Sequence, residues 1–151
     1  MRAAGPRRAM LVALLVAAAL PAGIALAQSD RSITPATEVV MRQLDAFRRN
    51  DFDTAYTFAS TTIRDMFDRQ AFERMVRAGY PEIASSVSAF VSESVVAPNG
   101  GVYLRLRIGG VNGNRIEAIY EMIREDGHWR INGVVAKPDP SSESAFSSHG
   151  P

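Results

Sequence analysis

Apolar residues recur at two different periods along this chain, and the change falls just past its middle. Upstream, Ala36, Val40, Leu44 and Phe47 share one stripe at helical spacing, with Arg42, Asp45, Arg48 and Arg49 on other faces. Thr34 suits a helix N-cap and Pro35 the first helical position. Asp51 is placed to cap a second helix whose inner face is Phe52, Ala55, Tyr56 and Ala59. Ser60 to Phe67 is less regular and reads as a single turn. Asp68 opens a third helix with Phe72, Met75 and Val76 inward. Arg74 and Arg77 lie towards its C-terminus, where positive charge suits the helix dipole. Gly79 is the expected C-cap, and Pro81 blocks continuation.

From Val87 the period becomes two, punctuated by Asn99-Gly100, Asn112-Gly113 and Asp126-Gly127. A two-residue turn at Asp126-Gly127 sets Met122 opposite Ile131, Tyr120 opposite Gly133 and Ala118 opposite Val135, with Trp129 on the same face. A three-residue loop at Val111-Asn112-Gly113 sets Ile108 against Ile116, Leu106 against Ala118 and Leu104 against Tyr120. On the other face Arg107 then meets Glu117, an attractive cross-strand pair. One apolar face runs through all of these strands. The expected fold class is α+β, three N-terminal helices packed on a curved four-stranded antiparallel sheet.

Composition adds an address and removes several functions. Residues 1–27 have the parts of a secretory signal: Arg2, Arg7 and Arg8, an apolar stretch from Ala9 to Leu20, the helix breakers Pro21 and Gly23, and Ala25-Leu26-Ala27 before the cleavage point. The apolar stretch would reach about 18 Å as a helix, short of a hydrocarbon core of about 30 Å, so the membrane is met only through the leader during export. Removal after Ala27 leaves a periplasmic or secreted chain with 14 basic against 16 acidic residues and no long basic run, which argues against nucleic-acid binding. The absence of cysteine removes disulfides, thiol catalysis and thiolate metal sites. Residues 28–32 read as a linker, 33–136 as the folded domain, and the Ser- and Pro-rich 137–151 as a disordered tail.

With these elements in place the chain resembles a known superfamily. The stretches that carry the likeness are Gln43-Leu44-Asp45-Ala46-Phe47 with Asp51-Phe52, Tyr56-Thr57-Phe58-Ala59-Ser60, Phe72-Glu73-Arg74-Met75-Val76 with Gly79-Tyr80-Pro81, and Asp126-Gly127-His128-Trp129-Arg130-Ile131. They resemble the nuclear transport factor 2-like superfamily of α+β cones, and most closely a bacterial family within it described as a domain of unknown function. The resemblance implies a cone with a pocket between helices and sheet, and often dimers that pair through the sheet. The superfamily includes isomerases, dehydratases, small-ligand binders and domains without catalysis; the closer family supplies no active-site residues to carry over.

Candidate chemistry is sparse. A two-residue turn at Asn99-Gly100 points Val91, Glu93 and Val95 inward, making Glu93 the one inner carboxylate of the sheet. With Tyr120 or Tyr56 supplying a hydroxyl, it could move a proton as an isomerase, dehydratase or hydratase does. A single bulge would instead send Glu93 outward and Phe90, Ser92 and Ser94 inward. Tyr56, Phe72, Met75, Tyr80, Tyr120 and Trp129 are the candidate lining of a pocket for a small apolar ligand, and equally the makings of a packed core. His128 lies beside a turn on the outer parity and His149 in the tail, and neither has a partner at ligand spacing, so no metal or cofactor is expected. Ser60-Thr61-Thr62 lacks a histidine partner and reads as a turn. The outer face of the sheet, with Tyr103, Arg105, Arg107, Glu117, Ile119 and Glu121, mixes alternating charge with apolar residues as a two-fold homodimer interface would. The expected function is a ligand-binding or accessory interaction module of the cell envelope, with proton-transfer catalysis as the alternative.

Overall fold

The structure is a computed structural model and describes residues 22–143. The proposed leader through Pro21 and the tail from Ser144 lie outside the described residues. Helix α1 (Ala22–Arg48) buries Ala36, Val40, Leu44 and Phe47, the stripe its spacing predicts. It does not begin at Thr34, however, and Pro35 lies inside it. Proline removes one backbone donor, and a helix runs through that gap when both flanks are held by packing. Here Ile33 and Ala36 both pack on the core. Residues 28–32, expected as a linker, are therefore helical.

α1 ends with Asn50 in the left-handed region (φ 59°) and Asp51 N–H donating to the Ala46 carbonyl (2.8 Å), the closing bond of a Schellman turn. Asp51 at once caps α2 (Phe52–Thr57) by accepting from Thr54 N–H. The segment expected as a turn forms a helix, α3 (Thr61–Met66), because Ser60 caps it through Ile63 N–H. α4 (Arg69–Gly79) starts on Asp68 as expected, and its Phe72 and Val76 are buried. Its end differs from expectation. Gly79 is its last residue, with no left-handed φ, and the helix stops because Tyr80 precedes a proline and is held at φ −139°, ψ 57°. Pro81 then begins a short helix, α5 (Pro81–Ala84).

The sheet is an antiparallel meander, β1 (Ser86–Val96), β2 (Val102–Gly110), β3 (Arg115–Glu125) and β4 (His128–Pro138), in chain order. The β2–β3 register is the predicted one throughout, including Leu104–Tyr120, Leu106–Ala118 and Arg107–Glu117. At β3–β4 the pairing begins as predicted with Met122–Ile131, then a bulge at Asn132 moves Tyr120 opposite Val134 and Ala118 opposite Ala136. Val135, expected inward, is consequently on the outer face and 71% exposed. α1 and α5 pack on the inner face, with α2 against α1 and α4 against α2 and α5, and the inward Leu104, Leu106, Ala118, Tyr120 and Met122 are wholly buried. The domain also outlasts its expected end: Lys137 and Pro138 belong to β4, Asp139 is buried with its N–H on the Arg115 carbonyl, and α6 (Pro140–Glu143) follows.

Candidate functional site

Between the helices and the twisted sheet lies a cavity of about 280 Å³. Two local features of the chain open it. The Asn132 bulge turns Val134 rather than Gly133 inward, opposite Tyr120 at its rim, and the Tyr80-Pro81 break swings Tyr80 off the end of α4 towards the sheet. There the Tyr80 hydroxyl donates to the Val134 carbonyl (3.1 Å). Phe47 from α1, Phe72, Met75 and Val76 from α4, Ile83 from α5 and Ile131 from β4 supply the walls. Ile63 and Phe67, from α3 and the residue that ends it, line the side where no residue of α3 is buried.

Tyr120, on the inner face of β3, lies beneath this space. Its side chain is wholly buried, and its hydroxyl is the one buried side-chain polar atom without a hydrogen-bond partner among the described residues. Burial, with a smaller contribution from the neighbouring Tyr80, pushes its pKa well above the ordinary tyrosine value, so it remains an O–H donor. Gln43, buried on α1, donates from Nε2 to the Ala55 carbonyl (3.1 Å) and adds the other polar side chain of the lining besides the tyrosines. Among the described residues no carboxylate, histidine, lysine or arginine lines the cavity.

Of the predicted pocket residues, Phe72, Met75, Tyr80 and Tyr120 come together here. Tyr56 and Trp129 do not line it. Tyr56 spends its hydroxyl on the Phe67 carbonyl (2.7 Å) and its ring on Phe72, and Trp129 is buried with the Arg124 guanidinium over its ring. The lining also takes in Gln43, Phe47, Ile63, Phe67 and Ile83, for which helical spacing gave core positions or no assignment at all.

Glu93 is not in the cone. The loop before β2 has three residues rather than two, with Ala97 N–H donating to the Gly101 carbonyl (2.8 Å), and this shifts the β1 register by one. Glu93 therefore pairs with Arg105 on the outer face and makes an ion pair with it (3.3 Å), its side chain 53% exposed. A bulge at Ser92 then restores the inward parity for Val91. Phe90, the inward residue of the bulged alternative, faces out opposite Arg107. The proton-transfer alternative accordingly lacks its base.

The outer face carries Tyr103, Arg105, Arg107, Glu117, Ile119 and Glu121 in the predicted arrangement of neighbours. Glu117 is largely covered there, between Lys137 (3.3 Å) and Arg105 (4.0 Å). A second depression, of about 540 Å³, is more polar and is lined by Glu82, Asn114 and Arg115 among others. Its groups satisfy one another: Glu82 Oε1 accepts from Asn112 Nδ2 (3.0 Å) and Asn114 Nδ2 (3.1 Å). Burial acts to raise the Glu82 pKa, but these amides and its own backbone N–H outweigh it and hold the carboxyl below its ordinary value. That depression is a seam between α5 and the β2–β3 loop, whereas the cone cavity is lined mainly by apolar side chains. Among the described residues no group of acidic residues and histidines could hold a metal ion, and no helix is long and apolar enough to cross a membrane.

Helices wrapped on a four-stranded antiparallel sheet, with a cavity at their junction, define an α+β cone of the nuclear transport factor 2-like class. Two solved structures share it. Aln2 from a Streptomyces species superposes with a TM-score of 0.50 at 15% identity, over 75% of this chain and 94% of its own. An NTF2-like protein of unknown function from Shewanella baltica superposes with a TM-score of 0.52 at 12% identity, over 73% of this chain and 95% of its own. Likeness at such identities is one of fold. The chain itself belongs to the family described as domain of unknown function DUF4864, whose sequence model matches residues 29–144. No curated protein matches it.

Proposed function

We propose that this protein is an exported domain that binds a small apolar molecule in its cone and does not catalyse its conversion. The observation that carries the reading is the cavity itself, about 280 Å³ between helices and sheet and lined mainly by apolar side chains. The size and apolar character of the space support a compact organic ligand rather than a peptide or a metabolite phosphate. The leader-like residues at the start of the chain support export to the cell envelope.

Thermal melts against a set of small neutral aromatic and cyclic compounds test the reading. A ligand at a hundredfold excess over its dissociation constant raises stability by about 2.7 kcal/mol. Met75→Trp, which fills the cavity, removes the response. A flat response across the whole set contradicts the reading.

The outer sheet face supports a second copy of this chain as the partner. Ile119 and Val135 pair at its middle and Tyr103 lies beside them, ringed by Arg105 and Arg107 and by Glu93, Glu117 and Glu121, so that a two-fold rotation can set unlike charges together. Sedimentation of the wild type as a dimer and of Val135→Glu as a monomer is the expected result; a wild-type monomer at all concentrations overturns it.

A further inference from the structure

The polar group that the cavity leaves open narrows its ligand class, and the narrowing rests on the binding reading above. Neither tyrosine of the lining has a proton to give a ligand: Tyr80 donates to the Val134 carbonyl, and the Tyr120 hydroxyl has no accessible surface. Gln43 differs from both. It lines the cavity from α1 and is 4% exposed. Its Nε2 donates to the Ala55 carbonyl, and because that partner can only accept, the bond fixes which end of the amide is oxygen. Gln43 Oε1 has no hydrogen-bond partner among the described residues. Yet it is not sealed, since the Tyr120 hydroxyl is the one unpartnered side-chain atom there without accessible surface. The little surface that Gln43 keeps therefore includes an unmatched carbonyl oxygen in the wall of an apolar space.

We infer that the ligand is a small neutral aromatic compound with one N–H or O–H group, which donates to Gln43 Oε1 while its ring packs against Phe47, Phe67 and Phe72. An ammonium would also donate, but no carboxylate in the described lining offsets the desolvation of a charge. A ketone or an ether would add a further acceptor and leave Gln43 Oε1 unmatched. A ring N–H of the indole type gives one proton and has no acceptor left over. Benzene fills an apolar cavity of about 150 Å³. The 280 Å³ available in the cone holds a substituted single ring or a small fused pair such as indole.

Two probes of nearly the same shape separate the possibilities: indole, and benzofuran, which has an oxygen in place of the N–H. Calorimetric titration of each into the wild type and into Gln43→Met gives the comparison. The expected result is that the wild type binds indole about fivefold more tightly than benzofuran, because only indole matches the Gln43 oxygen. Gln43→Met is expected to abolish that preference by weakening indole alone. The substitution also leaves the Ala55 carbonyl unmatched. Where it prevents folding, the two wild-type titrations decide, together with the N–H proton resonance of bound indole, which is expected to move downfield. Benzofuran binding the wild type as tightly as indole, or an indole preference that survives Gln43→Met, overturns the donor assignment while leaving the cavity a ligand site. Failure of both probes to bind the wild type overturns the binding reading itself.

Discussion

Replacing Tyr120 by phenylalanine should make this protein more stable, although a buried tyrosine normally contributes to stability. The ring is fully enclosed at the centre of β3 and would stay where it is. What leaves is a hydroxyl that no protein group matches. Its burial costs about 1–3 kcal/mol relative to a matched one. The oxygen leaves a gap of about 15 Å³, which at about 24 cal/mol per Å³ returns only ~0.4 kcal/mol. The net gain is about 1–2 kcal/mol, or roughly 4 °C in Tm for each kcal/mol in a domain of this size. Urea unfolding should show a higher midpoint with an unchanged slope. A second signature lies at alkaline pH. Burial raises the folded-state pKa of Tyr120, so folding keeps a proton that the unfolded chain gives up. Its contribution is fully present below about pH 10 and is lost above it at about 1.4 kcal/mol per pH unit; the phenylalanine variant lacks that slope. A variant less stable than wild type, with the alkaline slope retained, would refute the reasoning: the hydroxyl would then have a partner.

Ser60→Ala removes both the cap of α3 and the 2.9 Å bond from Ser60 Oγ to Asn132 Oδ1 at the β4 bulge, and should cost about 2 kcal/mol in urea unfolding. Gly110→Ala would bring a Cβ to 2.6 Å from Asn112 Oδ1 and 3.1 Å from the Glu82 Cα, so a loss of about 1–3 kcal/mol is expected, read from the thermal midpoint. Glu93→Gln loosens one exposed ion pair and should change stability by less than about 1 kcal/mol and leave indole titrations unmoved. An effect on ligand affinity at Glu93 would mean that β1 turns this residue towards the cone rather than towards Arg105.

The helical stripe of α1 and the β2–β3 ladder were readable from the chain because each rests on a local constraint that nothing distant competes with. Helical spacing from Ala36 to Phe47 fixes one face, and the turn at Asn112-Gly113, with Gly113 at φ 84°, fixes one register. The β1 strand was not readable, since a single residue of loop length reverses every side chain beyond it. The sign was nonetheless present: Gly100 has φ 84° and closes the three-residue loop Pro98-Asn99-Gly100 from the left-handed position such loops need. The Asn132 bulge left no such mark. It is held by partners far along the chain, Ser60 on one side and Glu121 on the other (3.2 Å), so only the assembled fold specifies it. The cavity follows the same logic. Phe72, Met75 and Tyr80 could be placed inward by spacing, but whether they pack solidly or leave room depends on that bulge and on the turn of Tyr80 before Pro81.

Methyl NMR of isoleucine-labelled protein during titration with indole tests the central claim most directly, because isoleucines lie on both faces of the sheet. Ile63, Ile83 and Ile131 line the cone cavity, whereas Ile119 and Ile123 pair on the outer face. The account predicts that the first group shifts together and saturably while the second does not move. Shifts confined to Ile119 and Ile123, or none in either group, would contradict a ligand site inside the cone.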